Sequence, residues 1–258
     1  MFTASVDGRV IHTERVGPAA DPWLMLHAFH LYTAPFKDVR ITGSPSVPEA
    51  IELVADDNLA GWRPYLGGMW QKRGEEMFHG GKRPVPGIDY PENQPAPPRG
   101  QPENAVFYHR PFLEDGLVEY EFYVDPGKCL AHPTLDRLVF LLEPDGVKLH
   151  WLTDGPHERS GVPLDNVTDE PKNRRGPSSL QLKPHAWNKA RLEVIGDTVR
   201  LSVNDALVYE RPIEPTNQRY FGLFHYTDRT EARVRGVTMR GDWPKTLPPA
   251  DRLFELKK

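Results

Sequence analysis

Between residues 105 and 240 the chain repeats one pattern: a short run in which apolar and polar residues alternate, then a turn, then another run. The clearest case is residues 117–124, LVEYEFYV. A period of two is the period of a β-strand, so Val118, Tyr120, Phe122 and Val124 belong to one face and Glu119, Glu121 and Tyr123 to the other. Residues 105–112, 147–153, 220–226 and 232–240 read as further strands. Residues 137–143, RLVFLLE, are almost wholly apolar and predict a strand buried on both faces. Residues 187–213 predict three strands joined at Gly196-Asp197 and Asn204-Asp205. Many short strands in succession exclude a helical bundle and predict an all-β sandwich.

Composition agrees. The 27 Pro and 21 Gly among 258 residues supply turns and break helices. Helical pattern is confined to short pieces at 48–54 and 251–258. An Asp-Gly turn within residues 6–11 predicts an early hairpin, and residues 38–43 a further strand. Residues 67–101 are rich in Gly and Pro and read as one long loop insertion, carrying Trp70, His79 and Tyr90, within a single domain spanning 1–258. Roughly a dozen strands exceed what an immunoglobulin-type sandwich needs, so a jelly roll of two antiparallel sheets, one curved into a groove, fits better.

The net charge of −4 is spread over interspersed acids and bases, which excludes a nucleic-acid footprint and a polybasic membrane patch. The single cysteine, Cys129, excludes an internal disulfide. With a mean hydropathy of −0.57 the chain is expected to be soluble. The apolar run at 23–32 is too short to span a bilayer and holds two histidines. The first residues lack the charged-then-apolar run of an export signal, and both a reducing compartment and export in the native context remain open.

Several segments are long enough to resemble a known family: YHRPFLEDGLVEYEFYVDPGK, HPTLDRLVFLLEPDGVKLHWLTDG, NQRYFGLFHYTDRTEARVRGV and RGDWPKTLP. Together they resemble a domain of unknown function found mostly in planctomycete bacteria, often at the end of much larger proteins. The stretch from Trp187 onward is similar in pattern to the C-terminal half of concanavalin A-like lectin and glucanase domains. The resemblance implies a concanavalin A-like jelly roll. Through related jelly rolls, the 3-keto-disaccharide hydrolase domains, it also implies an activity on sugars. Laminarinase-type glucanases of this fold carry acids at i, i+2 and i+5 of one strand. Here the position five after Glu119 is Val124, with Asp125 one place late, so that motif is broken and its mechanism does not transfer.

The candidate site residues fall into three sets. Glu119 and Glu121 lie two apart on a strand, about 6.6 Å between Cα atoms; that spacing admits either a retaining or an inverting pair of carboxylates, or a solvated strand face. His109, His150 and His225 sit inside predicted strands, where imidazoles line a groove or serve as hydrogen-bonded structural groups. The third set is aromatic and cationic, Tyr123, Trp151, Arg110 and Arg233, joined by Asp136. Trp187 is expected in the core. Asp136 and Asp154 are open to three roles: acid/base groups, ligands of a divalent metal such as calcium, or turn residues.

The first functional expectation is cleavage of a glycosidic bond in a groove on the concave sheet. Glu119, Glu121, His150 and His225 are its catalytic candidates, and His109, Arg110, Tyr123, Asp136, Trp151 and Arg233 its substrate-binding ones. The second is a non-catalytic carbohydrate-binding module of a larger bacterial protein, and the third a structural domain of a surface assembly. The expected partner of the first two is an oligo- or polysaccharide. Cofactor and oligomeric state are left open. A converging acid–histidine cluster would favour the enzyme, an aromatic strip without one the binding module.

Overall fold

The computed structural model describes residues 2–14, 23, 47–80, 103–154, 158–163 and 165–245. The hairpin of β1 (Phe2–Val6) and β2 (Arg9–Glu14) turns at Asp7 and Gly8, both with positive φ, as a two-residue hairpin turn requires. The next strands are β3 (Ile51–Glu52), β4 (Trp62–Leu66), β5 (Gln71–Arg73) and β6 (Glu76–His79). Then come β7 (Glu103–Pro111), β8 (Gly116–Val124), β9 (His132–Leu135), β10 (Leu138–Glu143) and β11 (Gly146–Trp151). The series ends with β12 (Ala186–Ile195), β13 (Thr198–Val203), β14 (Ala206–Pro212), β15 (Tyr220–Tyr226) and β16 (Ala232–Gly241).

These strands form a jelly-roll β-sandwich. One antiparallel sheet has the order β11-β10-β9-β15-β7-β4; the other has the order β14-β13-β12-β8-β16-β6-β5, with β3 also paired to β16. The hairpins β9–β11 and β12–β14 stay within one sheet, whereas most other successive strands change sheet. This connectivity has a direct consequence for function. β7 and β8 are adjacent in sequence but lie in different layers, so their outward side chains lie on different surfaces.

The alternation in β8 is realised: Val118, Tyr120, Phe122 and Val124 are buried and the residues between them are half-exposed. They meet Leu135, Phe140, Phe221 and Leu223 of the facing sheet in one continuous core, with Tyr120 and Phe221 rings 5.9 Å apart. Burial of each such side chain contributes about 1.5–3 kcal/mol. β10 is buried on both faces as its apolar run requires, because Val139 and Leu141 join a second cluster with Ala105, Leu152, Phe224 and Tyr226 on the outer face of the six-stranded sheet.

Three expectations are corrected. Residues 71–73 and 76–79 of the expected loop insertion are strands that extend the eight-stranded sheet. Gly74 makes the turn, and Glu76-Met77-Phe78 alternates around the buried Met77. Trp70 and His79 therefore belong to the body of the sandwich, while residue 90 lies outside the described residues. The short helix expected at 48–54 is replaced at Ile51–Glu52 by a strand against β16. Trp187 is half-buried on the outer face of the eight-stranded sheet and not in the core; it alternates with the buried Asn188 and shares its face with Lys189 and Arg191. The expected strand at 38–43 and helix at 251–258 lie outside the described residues. Among the described residues no helix is long and apolar enough to cross a membrane.

Candidate functional site

Strand register on the eight-stranded sheet aligns its outward side chains into two parallel rows. Lys189 of β12 faces Glu121 of β8, which faces Arg235 of β16, which faces Glu76 of β6, which faces Arg73 of β5. Charge alternates at every step across five strands. Glu121 accepts from Arg235 Nε at 2.7 Å, and Glu76 receives both Nε and Nη2 of Arg233 at 2.9 and 2.8 Å. Opposite charges in cross-strand register are mutually stabilising. The hydrogen bonds from Arg233 hold the Glu76 carboxyl below its usual range against the opposing pull of partial burial.

The second row is aromatic. Trp187 faces Tyr123 across β12 and β8, their ring centroids 5.5 Å apart and nearly perpendicular. Arg233 lies 4.5 Å over the Tyr123 ring, and Arg235 lies 4.3 Å over Trp187. Planar guanidinium groups stack on aromatic faces, which fixes ring and cation together. Phe78 continues the row opposite Arg233, under Arg73.

A β-bulge shapes the surface beside these rows. β16 advances three residues, from Arg235 to Thr238, while β8 advances two, from Glu121 to Glu119. Gly236 absorbs the extra residue with a φ of +59°, and a Cβ there would meet nothing, so backbone conformation and not space demands glycine. The bulge borders a cleft of about 600 Å³ lined by Glu52, Lys72, Glu75, Glu121, Arg235 and Gly236. On the other side of the aromatic row, Tyr123 and Arg233 border a smaller cleft of about 220 Å³ with Asp125 and Glu231.

Glu121, Tyr123 and Arg233 are thus brought together, with Trp187, Arg235 and Glu76 as members that sequence patterning missed. Glu119 sits on the same face, one step along β8, paired with Lys189 at 3.1 Å and Arg240 at 3.4 Å. The expected meeting of Glu119 and Glu121 with His150 and His225 does not occur. Both histidines belong to the six-stranded sheet and are fully buried, so neither reaches a polymeric substrate. His109 is half-buried in β7 of the same sheet. Arg110 is buried, bonded to Glu114 at 2.6 Å and stacked 4.0 Å over Trp23. Asp136 and Trp151 line a third cleft, away from these rows.

Hydrogen bonds hold the histidines of the sandwich interior in place. Trp70 Nε1–H donates to Asn104 Oδ1 at 2.6 Å, and Asn104 Nδ2 donates to Gly68 O at 3.0 Å and toward His79 Nε2 at 3.3 Å. His79 Nδ1 and His225 Nε2 lie 2.8 Å apart, and His225 Nδ1 donates to Thr230 O at 2.9 Å. One arrangement satisfies the whole chain: His79 donates from Nδ1, His225 from Nδ1, and both rings are neutral. Burial, then the neighbouring His79, lowers the His225 pKa to about 3. His132 accepts Leu142 N–H at Nδ1 at 3.0 Å, and burial followed by the nearby His150 likewise lowers it to about 3.

His150 is bound differently. Its Nδ1 donates to Asn166 O at 2.6 Å, and its Nε2 lies 2.7 Å from Glu103 Oε1, a separation that requires a proton between them. Thr153 donates to the other Glu103 oxygen at 3.2 Å. The pair is neutral overall and enclosed. Among the described residues no three His, Cys, Asp or Glu side chains are grouped to hold a metal ion. Asp136 and Asp154 are engaged with Gln218 N–H at 3.0 Å and the Tyr65 hydroxyl at 2.9 Å, respectively.

Comparison with known proteins gives distant structural likenesses. The carbohydrate-binding module CBM66 of Bacillus subtilis is 16% identical with a TM-score of 0.44, covering 70% of this chain and 96% of that one. A Parabacteroides distasonis protein provisionally named a glycosyl hydrolase is 13% identical with a TM-score of 0.40, covering 75% of this chain and all of that one. The Ca2+- and Man3GlcNAc-bound exoplasmic/lumenal domain of VIP36 is 9% identical with a TM-score of 0.45, covering 79% and 92%. At these scores the likenesses carry no weight for function. No curated protein matches the sequence. Residues 1–86 match a family described as a protein of unknown function, DUF1581. Residues 98–246, more than half of the chain and the stretch from β7 to β16, match a second family, and the chain accordingly belongs to the domain of unknown function DUF1583_N.

Proposed function

We propose that the outer face of the eight-stranded sheet binds a neutral oligo- or polysaccharide without cleaving it. The observation that carries this reading is the aromatic row Trp187–Tyr123–Arg233 lying beside the alternating charge row. Sugar rings offer apolar C–H faces to aromatic side chains and hydroxyls to carboxylates and guanidinium groups. Arg233, Arg235, Glu76 and Glu121 are already paired with one another, so the face offers hydrogen-bonding edges with little net charge. Paired charges of this kind favour hydroxyls over an anionic ligand. The groups are also fixed in place before a ligand arrives, which reduces the ordering cost of binding.

Binding is favoured over bond cleavage by the state of the two glutamates. Glycoside cleavage needs an acid and a base, or an acid and a nucleophile, free to act on either side of one bond. Glu119 is held by Lys189 and Arg240, and Glu121 by Arg235. Affinity electrophoresis through gels containing laminarin, xylan or galactomannan tests the reading. Retardation on at least one polysaccharide is expected, with Trp187→Ala weakening it at least tenfold, about 1.4 kcal/mol. Equal retardation of wild type and Trp187→Ala on every polysaccharide, or release of reducing or unsaturated ends by wild type, defeats it.

A further inference from the structure

The third cleft lies at one end of the six-stranded sheet, beside the crossover from β14 to β15, and has a volume of about 500 Å³. Its walls come from five separate segments, one of them the loop stretch that holds Ser160 and Val162. Asp136 and Arg137 form the β9–β10 turn, Trp151 ends β11, Thr216 to Gln218 form the β14–β15 turn, and Tyr65 reaches over from β4.

Its polar groups are pinned by the fold. Arg137 donates from Nε to Leu152 O at 2.8 Å and from Nη2 to Glu158 at 2.8 Å. Asn217 donates to Leu135 O at 3.0 Å and accepts from Arg219 N–H at 2.8 Å. Asp136, at a φ of +53°, receives the N–H of Gln218. The Trp151 backbone is clasped at both N–H and C=O by the Asn166 amide, at 2.8 and 2.9 Å. Tyr65 packs on Phe107 and donates to Asp154.

The chemistry of the lining restricts the ligand. Among the described residues lining this cleft, Arg137 is the one cation, and Glu158 already neutralises it. A phosphate or carboxylate ligand would find no uncommitted positive charge there. Two aromatic side chains stand among amide, hydroxyl and carboxylate groups, which suits a ligand with apolar faces and many neutral hydroxyls.

We infer that this cleft is a second, independent saccharide site, sharing no residue with the first face, so that one chain can bridge two glycan segments. It shares with the preceding reading only the class of ligand. The cleft takes one or two neutral sugar units, with Trp151 and Tyr65 against the ring and Asp136, Asn217 and Gln218 toward the hydroxyls.

The test is titration calorimetry with laminarihexaose, xylohexaose and mannohexaose on the wild type, Trp187→Ala, Trp151→Ala and Thr216→Arg. Thr216 is exposed, so its replacement fills the cleft without disturbing the core and guards against misfolding of the Trp151 variant. Two sites per chain are expected in the wild type and one in each variant, the remaining site keeping its affinity. Soluble polysaccharide should be cross-linked, and its solution made more viscous, by wild type alone. A single wild-type site that Thr216→Arg leaves unchanged overturns this inference and leaves the first face standing. A single site abolished by Thr216→Arg and untouched by Trp187→Ala upholds this cleft and defeats the first. No binding of any hexasaccharide overturns both.

Discussion

Lowering the pH from 7.5 to 5 should destabilise this protein steeply, because His132 and His225 are buried in their neutral forms. Each has a folded pKa of about 3, against about 6.5 in an unfolded chain. The unfolded state therefore binds more protons throughout the interval between these values, and stability must fall as pH falls. At pH 5 an unfolded imidazole is almost fully protonated and the folded one almost fully neutral, which costs about 2 kcal/mol per histidine and about 4 kcal/mol for the two. The slope near pH 5 is about 2.7 kcal/mol per pH unit. For a sandwich of this size a loss of that order lowers Tm by roughly 8–16 °C. The window above pH 5 isolates the histidines, since carboxylates held low by ion pairs, such as Glu76, give up their contribution only at more acid pH. Urea unfolding followed by tryptophan fluorescence at pH 7.5, 6.5, 5.8 and 5.0 measures the slope. His225→Gln removes one titrating ring and should reduce the slope by about half, to about 1.4 kcal/mol per pH unit, even if it lowers stability at pH 7.5. Stability that is level from pH 7.5 to 5, or a slope unchanged in His225→Gln, would refute the account.

Glu103→Ala removes the acceptor that His150 and Thr153 share in a fully enclosed pair and should cost about 3 kcal/mol in urea unfolding at pH 7; a loss below 1 kcal/mol would show that the pair is dispensable. A Cβ at Gly222 would run into the Phe107 ring and the Thr134 hydroxyl, so Gly222→Ala should cost about 1–3 kcal/mol, read as a lowered urea midpoint at constant m. Glu76→Gln should change stability by less than about 1 kcal/mol, since the pair with Arg233 is partly exposed, yet weaken glycan retardation several-fold by loosening Arg233 over Tyr123; full retention of binding would remove Arg233 from the site. Cys129 is buried, and burial raises its thiol to about 12, so it should react with a disulfide reagent at pH 8 only after unfolding; prompt reaction in the native protein would contradict the packing around it.

What the sequence by itself determined is whatever depends on residues close along the chain. Alternation in 117–124 fixed the strand and named its buried side chains, because successive side chains of a strand point to opposite faces. Asn204-Asp205 and Gly196-Asp197 fixed two hairpins, because only such residues readily take positive φ. The acidic face of β8 was legible in the same way, down to Tyr123 sharing it with Glu121. Trp187 was misplaced because a large aromatic residue ordinarily predicts burial, and only the stacked guanidinium groups of β16 explain its position at the surface. The strands at 71–73 and 76–79 were hidden because each is too short to show a period. Partnership was the province of tertiary structure. Glu121 meets Arg235 and not His150 because β8 pairs with β16 while β11 lies in the other sheet. Asp136, Trp151 and Asn217 meet because two turns and the end of β11 converge at one end of that sheet. Such contacts depend on sheet order and register, which are set by the packing of the whole core and leave no trace in local spacing.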